Sequence, residues 1–483
     1  MTAQGRSSER TVNIVPLRPA IASHTLFVAL RFINLDHLAA ACGGAVPDAA
    51  RQAAAARIAT IIGAQGVLTW SGRDRADIIL FDWSGGPAAG TDLLRTILEA
   101  LSAPFRADEI APLADGDAAA IFLCVTGAVA PVTGVGGDAA DAMLHATIAR
   151  LDAQAATIAA AAPAPAGTPW ACRYRADMAA AATLHAALQD DRLLLVWQPV
   201  VASGGAHDSL YHQALLRLIP DASAPAGDGL PDAGAPYADA LERLGVARLL
   251  DRWMVSRTIA RLRRTPAARL GCALSAQGAV IDAWWADILD DLARAPDVAG
   301  RLVIELPERA ASSRTGPATA FVARLRAIGV AVAIADFGAG DAALRDVAAL
   351  DPAIVKIDSA FLRRIACDDG ARAVIDMLRP AIARAARRGR AVVMAGVDTP
   401  ALRRLAVAAG VEWVQGDDAG LPALTIACAS AERPAGGPAR AAIVTAPPYS
   451  EADRRGLLRG LAVAAPVSLF LWCAGITAWR WLA

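Results

Sequence analysis

Lysine is nearly absent from this sequence. Lys356 is the only one, so the other 46 of the 47 basic residues are arginine. A lysine ammonium is a compact point charge, and the planar guanidinium of arginine cannot replace it at a tight site lined by oxygen atoms. Chance placement of a single lysine is the alternative. Lys356 is therefore a candidate functional residue.

Other absences exclude whole classes of protein. The formal net charge is zero, which removes the electrostatic basis for binding nucleic acid. The seven cysteines show neither CxxC pairs nor another spacing typical of zinc ligation or a disulfide framework. The polar opening stretch, "MTAQGRSSERTVNIVPLRP", lacks the apolar core of a secretory signal. These features together predict a protein of the reducing cytosol.

Charge is also absent from one long stretch near the carboxyl end. Residues 460–479 contain no charged side chain and are about long enough to cross a ~30 Å hydrocarbon core. Arginines flank the stretch on both sides, and tryptophans occupy its end, as at a membrane interface. We therefore predict a transmembrane anchor at 457–482 that holds the preceding domains in the cytoplasm, at the inner membrane of a bacterium. An amphipathic or buried helix is the alternative, since Pro466 interrupts the stretch.

Short apolar runs alternate with amphipathic helical patterns in the larger part of the chain. Eight such runs predict a (β/α)8 barrel, with a doubly wound sheet as the alternative. Polar residues fall toward the carboxyl ends of several runs, where such barrels build their sites: Glu305, Asp336, Lys356 and Gln415. The runs are 193–201, 211–218, 270–275, 302–306, 330–338, 353–358, 391–397 and 411–416.

A smaller α+β or α/β domain is predicted before the barrel, from strands at 25–34, 66–72, 76–83 and 119–129 and helices around 46–62, 91–103 and 138–153. Stretches rich in Ala, Pro and Gly set the domain boundaries. The predicted order is an N-terminal tail (1–22), the smaller domain (23–153), a linker (154–169), the barrel (170–429), a second linker (430–456) and the anchor (457–482).

Motifs in the barrel region occur in a family-specific order. The segments are WQPVV (197–201), QALLRL (213–218), ALS (273–275), IELPE (304–308), ADFGAG (335–340), VKID (355–358), MAGVD (394–398) and VQG (414–416). They resemble the first strand, EALxRW, NLS, ExTE, DDFGTG, KID, AEGVE and QG motifs of the EAL domain, the cyclic di-GMP phosphodiesterase family. The resemblance implies an EAL-type, TIM-like barrel across 170–429.

The resemblance also implies metal-assisted hydrolysis, in which oxygen ligands hold two divalent cations. Glutamine or alanine occupies four family positions for metal ligands or the base: Gln213, Ala273, Ala335 and Ala395. An alanine can neither coordinate a metal nor accept a proton. We therefore expect no metal and no phosphodiesterase activity, with Glu305, Asp336 and Lys356 as remnants of the catalytic set. A rearranged Mg or Mn site using Asp336, Asp341 or Asp358 is the alternative.

Ligand contacts are implied for five positions: Gln198, Arg217, Glu305, Lys356 and Gln415. Lys356 stands at the catalytic lysine position of the family. Two interpretations stay open for it. Its ammonium either forms a structural ion pair with Glu305 or Asp336, or contacts a phosphate in a receptor site.

The smaller domain resembles GGDEF diguanylate cyclases, though more weakly. Gly72, Arg73, Asp74, Arg75 and Ala76 stand where the GGDEF signature would lie, and Asn34 replaces an upstream metal aspartate. Arginine at the second glycine and at the glutamate position predicts that no cyclase chemistry survives. Arg73 and Arg75 either bind an anion or are surface arginines.

The predicted function is a catalytically inactive EAL/GGDEF-type signalling protein at the membrane. It would act as a scaffold for a protein partner or as a cyclic di-GMP receptor. A cyclic di-GMP phosphodiesterase with a rearranged metal site is the alternative. Homodimer formation, as in relatives of the family, stays open.

Overall fold

The computed structural model describes most of the two predicted domains. The described residues are 24–106, 108–110, 120–133, 138–159, 165, 167–205, 208–219, 234–312, 317–337, 350–358 and 389–426. The predicted tail, second linker and anchor lie outside them. Within these ranges no helix has both the length and the apolar character needed to cross a membrane.

An antiparallel sheet in the order β2–β3–β1–β6 forms the smaller domain. Its strands are β1 (His24–Phe32), β2 (Gly66–Trp70), β3 (Arg75–Leu80) and β6 (Val125–Thr133), and β4 (Phe105–Arg106) pairs separately with β5 (Ala120–Ile121). Its helices are α1 (Leu35–Cys42), α2 (Val46–Ile62), α3 (Pro87–Ser102) and α4 (Asp138–Ala159). All four predicted strands overlap observed ones, although the run 119–129 divides between β5 and β6. The short helix α1 was not predicted.

Eight strands of the larger domain close into a barrel in the order β10–β11–β12–β13–β14–β7–β8–β9. They are β7 (Leu193–Ala202), β8 (Ser209–Leu218), β9 (Leu270–Ala273), β10 (Leu302–Pro307), β11 (Ala331–Phe337), β12 (Ile354–Ile357), β13 (Ala391–Met394) and β14 (Trp413–Val414). Each strand overlaps one predicted run, so the barrel is confirmed and the doubly wound alternative is wrong.

One strand departs from the all-parallel (β/α)8 pattern. β7 pairs antiparallel with both β8 and β14, whereas the other neighbouring strands are parallel. Only residues 203–208 separate β7 from β8, and a parallel pairing needs a crossover of about a dozen residues or more. The short connection therefore dictates the antiparallel direction.

Helices cover the barrel and lead into it from the smaller domain. They are α5 (Gly167–Gln189), α6 (Gly234–Leu244), α7 (Arg248–Arg264), α8 (Ala283–Ala293), α9 (Pro296–Ala299), α10 (Glu308–Ser312), α11 (Pro317–Ala327) and α12 (Pro400–Ala409). The predicted linker at 154–169 begins inside α4 and ends inside α5.

The two domains share a continuous apolar core. We call the contact between residues 122–125 and 244–249 the seam. There the Cys124 thiol donates to the carbonyl oxygen of Gly245 over 2.8 Å. Gly245 has a φ of +80°, and a Cβ at this position would lie 2.7 Å from Cys124 Sγ. Glycine is thus required at this point for both backbone conformation and close approach.

Candidate functional site

Glu305 lies inside the barrel toward the carboxyl end of β10. Every residue of β10 is buried, because β9 and β11 flank the strand and the core packs against it. The Glu305 side chain is fully buried and accepts three hydrogen bonds. The donors are Tyr211 Oη at 2.8 Å, Gln213 Nε2 at 3.1 Å and Lys356 Nζ at 2.7 Å. The carboxylate is therefore well satisfied by protein groups.

Lys356 forms a buried ion pair with Glu305, one of the two structural pairs that the sequence left open. Its side chain is 4% exposed, and its ammonium also donates to Gln213 Oε1 at 3.1 Å. Buried ion pairs persist only where hydrogen bonds satisfy the remaining donors and acceptors. These contacts meet that condition for the pair.

Tyr211 completes the surroundings of Glu305, and the sequence analysis missed it. Burial, together with the neighbouring Glu305 charge, raises the pKa of Tyr211 well above its usual value, so the hydroxyl stays protonated and donates. A signal was present in the sequence. Residues two apart on a strand share a face, and Tyr211 precedes Gln213 by two.

Three glutamines extend this arrangement across the barrel. Gln198 on β7 lies opposite Gln213 on β8. Gln415 Nε2 donates to the Oε1 atoms of both, at 3.1 and 2.5 Å. We call Gln198, Tyr211, Gln213, Glu305, Lys356 and Gln415 the polar layer. Its six residues lie on four strands (β7, β8, β10 and β12) and directly after a fifth (β14), and the layer carries one positive and one negative charge. Among the described residues, Gln415 Oε1 is a buried acceptor in this layer without a hydrogen-bond partner.

The three alanines among the four replaced positions stand close to this layer but add no polar side chain. Ala273 on β9 is the register partner of Glu305, and Ala335 on β11 is the partner of Pro307. Ala395 follows β13, where its amide N–H donates to the carbonyl oxygen of Ile357. Across the described parts of the chain, no group of three or more His, Cys, Asp or Glu side chains is arranged to hold a metal ion. The side chains of Ala273, Ala335 and Ala395 thus offer no ligand atom to a divalent cation.

Asp336 is the other acidic remnant, and it lies apart from the polar layer's hydrogen bonds. It is exposed and has a left-handed φ of 57°, at a point where the pairing of β11 with β12 shifts register. Desolvation by neighbouring protein atoms, followed by the charge of Asp358, raises its pKa. Partial desolvation, reinforced by the nearby negative charge, therefore disfavours an ionised Asp336, although Lys356 offsets part of this effect.

Arg217 stands on the same face of β8 as Gln213, four residues farther toward the carboxyl end. Four strand residues span about 13 Å, so Arg217 lies well above the polar layer, opposite Leu194. Its Nη1 donates to the carbonyl oxygen of Leu216 at 2.9 Å. Of the five predicted ligand positions, the structure brings together Gln198, Glu305, Lys356 and Gln415 and leaves Arg217 at the rim.

Asn34, at the predicted former metal position of the smaller domain, is committed to structural hydrogen bonds. Its side chain is bonded to Phe122 O at 2.9 Å, Tyr174 Oη at 3.2 Å and Cys124 N at 2.9 Å. The amide therefore ties β1 to the seam and to α5.

The turn between β2 and β3, where the GGDEF signature would lie, is held by ion pairs. Arg31 pairs with Asp74 at 2.7 Å and also with Asp152 of α4. Arg75 pairs with Asp77 at 3.1 Å, whereas Arg73 is exposed.

A second buried carboxylate lies beside the barrel strands. Asp251 on α7 accepts a hydrogen bond from the backbone N–H of Ser275 at 3.0 Å and a second one from the hydroxyl of Ser275 at 2.6 Å. Ser275 follows β9 directly after Leu274, whose N–H donates to the carbonyl oxygen of Glu305. Asp251 thus holds the loop that leaves β9 next to the polar layer.

We expect Asp251 to contribute stability that is fully present below about pH 4 and is lost as the pH rises to about 7. Burial raises the pKa of Asp251 from 3.8 to about 7, opposed by the Ser275 hydrogen bonds and by Arg248, while Glu242 adds to the rise. The folded state then binds this proton more tightly than the unfolded state, and this contribution is lost as the carboxyl ionises. The D251N variant should show a flatter profile of melting temperature against pH. An unchanged slope would contradict this assignment, and D291N, at a half-exposed position on α8, is the matched control.

The barrel region of the chain matches a known protein family. The model of the EAL domain family matches residues 181–422. Over 244 residues the chain is 25% identical to the cyclic di-GMP phosphodiesterase PdeF of Escherichia coli (strain K12). That alignment covers 50% of this chain and 31% of PdeF, so the chain spans about a third of its relative's length.

Solved structures with a similar fold include two complexes with c-di-GMP. One is the PaMucR phosphodiesterase, at 22% identity and a TM-score of 0.45, covering 51% of this chain and 97% of that one. The other is a LapD fragment of Vibrio cholerae containing an S helix, GGDEF and EAL, at 15% identity and a TM-score of 0.43. It covers 83% of this chain and 90% of that one.

Proposed function

We propose that this chain, which belongs to the EAL domain family, is a catalytically inactive member that serves cyclic di-GMP signalling as a protein-binding scaffold. One observation carries the proposal. The buried acid of the polar layer, Glu305, is neutralised by Lys356 rather than left to bind a cation. A carboxylate fully used in this way is a poor ligand for Mg²⁺, which needs charged oxygen atoms in near-octahedral arrangement.

The replaced positions support the same conclusion. Gln213 is neutral and already bonded to Glu305, Lys356 and Gln415. The alanines at 273, 335 and 395 supply no ligand atom from their side chains. A phosphodiesterase with rearranged Mg or Mn ligands would have to recruit Asp336 and break the Lys356–Glu305 pair, and we therefore rank it below an inactive protein.

A metal-independent cyclic di-GMP receptor is the second candidate. Its support is the resemblance to PdeF, which is named a cyclic di-GMP phosphodiesterase, and the buried, unpartnered Gln415 Oε1. An acceptor left without a donor costs free energy, so a bound group with an N–H or O–H could satisfy it. The scaffold ranks first because Lys356, the strongest candidate for a phosphate contact, is already consumed by Glu305 and Gln213.

The setting we propose is the inner membrane, with 457–482 as the anchor and the barrel in the cytoplasm.

For the smaller domain we propose a GGDEF-like fold that has lost cyclase chemistry. Its support is Asn34, whose amide is bonded to the seam and to Tyr174, and the ion-paired turn around Asp74.

A hydrolysis assay tests the proposal. We expect the full chain in detergent micelles to form no linear dinucleotide from cyclic di-GMP with either Mg²⁺ or Mn²⁺, because the ligand set is incomplete. Chromatography of the products over a long incubation provides the measurement, and PdeF under the same conditions serves as the positive control. Linear product that increases with the concentration of this chain would overturn the proposal.

A further inference from the structure

The antiparallel sheet of the smaller domain has two edge strands. Its order leaves β2 at one edge and β6 at the other, and across the described residues no further strand pairs with either. An edge strand presents a row of unpaired N–H and C=O groups to which another strand can bond, so proteins usually block such edges with proline, charge or a covering element. In this sheet one edge is blocked and the other is open.

The blocked edge is β6. The N–H of Ile33, just after β1, donates to the carbonyl oxygen of Cys124 at 2.8 Å. Residues of an antiparallel strand alternate in direction, so the even-numbered residues of β6 face β1 and the odd-numbered residues face outward. The outward residue Pro131 has no N–H to donate, and the outward carbonyl oxygen of Val129 already accepts from Arg150 of α4 at 3.1 Å. A continuous ladder with another strand therefore cannot form along β6.

The open edge is β2. The carbonyl oxygen of Gln65, the residue before this strand, accepts from the N–H of Phe81 at 3.0 Å, so the odd-numbered residues face β3. Gly66, Leu68 and Trp70 therefore direct their N–H and C=O groups away from the sheet. The strand has the sequence GVLTW, which contains neither proline nor a charged side chain. Nothing in the strand itself blocks pairing with another strand.

The strand is also self-complementary in the antiparallel direction. An alignment centred on Leu68 places Leu68 opposite Leu68 and Gly66 opposite Trp70. These are the residues that face outward, so each facing pair would exchange two hydrogen bonds and leave no outward N–H or C=O group of the strand unpaired. Val67 falls opposite Thr69 between these pairs, where β-branched side chains lie close together. Gly66 leaves room for the Trp70 indole of the facing strand.

We propose that β2 is a homodimer interface, at which two copies of this chain pair antiparallel across Leu68 and join the sheets of their smaller domains. A second copy is the partner that fits, because the alignment is symmetric about Leu68. The same surface then serves both chains, and the assembly closes as a dimer. A strand pair of this length belongs among small interfaces, below about 1,200 Å², which are typical of transient association. The dimer is therefore reversible.

The first test is sedimentation of the full chain in density-matched detergent micelles, from low to high micromolar concentration. We expect a monomer–dimer equilibrium that the V67K/T69K variant weakens by roughly tenfold or more, because this variant opposes two pairs of like charges across the interface. Both side chains are exposed, Val67 by 52%, so the variant should keep the circular dichroism of the natural chain. M143K/A146K is the matched control, since it adds two lysines at exposed positions of α4, which packs against β6.

Two outcomes of this experiment would overturn the proposal. One is a chain that stays monomeric at every concentration, even if a strand of another protein bonds to this edge. The other is a dimer of equal strength in V67K/T69K, because a different surface of the chain would then hold the two copies together.

Cysteine variants test the register and still decide if V67K/T69K fails to fold. In the proposed dimer Val67 of one copy faces Thr69 of the other, whereas each lies diagonally from its own counterpart, at about 7–8 Å. A disulfide does not bridge Cα atoms more than about 7 Å apart. A mixture of V67C and T69C chains should therefore form disulfide-linked dimers several-fold faster than either chain alone. The natural chain, with its seven cysteines, gives the background rate. Equal rates in the mixture and in the separate chains would contradict this alignment.

Discussion

Replacement of Lys356 by methionine is expected to destabilise the protein by about 3–5 kcal/mol, the cost of leaving one member of a buried ion pair uncompensated. The methionine keeps the apolar stem but removes the ammonium 2.7 Å from Glu305 Oε2. The E305Q variant should also be destabilised, because it leaves the buried ammonium of Lys356 without its carboxylate partner. Urea unfolding monitored by circular dichroism provides the measurement, with the slope of each transition compared between variants.

The double variant separates this account from a general loss of packing. K356M combined with E305Q leaves no buried charge, so it should be more stable than either single variant and show a favourable coupling in the double-mutant cycle. The control cycle uses Arg263 and Asp291, an ion pair whose side chains are 48% and 39% exposed. Its coupling should lie within about 1 kcal/mol of zero, as is usual for surface pairs. Strict additivity at Lys356 and Glu305 would contradict the buried-pair account.

Restoring the replaced positions is expected to raise the affinity for divalent metal above that of the natural chain. The variant Q213E/A273N/A335D/A395E adds four oxygen ligands near Glu305 and Asp336, the number and type that a divalent pair requires. We expect the restored variant to form linear dinucleotide at roughly 10²-fold or more above the background of the natural chain, since loss of even an outer-shell partner of a metal ligand commonly costs 10–100-fold in metal affinity or activity. Mn²⁺ titration and product chromatography supply the two readouts.

The variant that keeps Ala335 and carries the other three changes is the matched control. It lacks one carboxylate and should bind Mn²⁺ more weakly than the full set. Binding of Mn²⁺ by the natural chain as tight as by the restored variant would contradict the proposal that loss of metal ligands has inactivated the barrel. Circular dichroism of each variant reports whether the added charges have disrupted the barrel.

The barrel and the strand-end residues were accessible from the sequence because they follow local periodicity. Apolar runs such as 302–306 marked the strands, and three of their polar residues, Glu305, Lys356 and Gln415, are buried in the observed barrel, whereas Asp336 is exposed. The antiparallel direction of β7 was missed, although the short connection at 203–208 already required it. The identity of that strand was confirmed and only its direction was wrong.

Pairings between distant residues were not accessible in the same way. Lys356 and Glu305 are 51 positions apart, and only closure of the barrel decides whether Glu305 or Asp336 is the partner. Asn34 contacts residues 88 and 140 positions away, so its structural role could not be distinguished from a lost metal ligand. In the sequence, Asp251 cannot be distinguished from an ordinary acidic residue of an amphipathic helix. Its burial depends on how α7 packs against the loop after β9.

The most direct test of the central claim, that this barrel no longer performs metal chemistry, is calorimetric titration of cyclic di-GMP into the full chain. The titration is made first with Mg²⁺ and then with a chelator, and the products are analysed afterwards. We predict no metal-dependent heat and no linear product. Heat that survives chelation and is lost in R217A would identify a receptor in place of a scaffold, with the catalytic conclusion unchanged. Binding that requires Mg²⁺ and is followed by linear product would contradict the account.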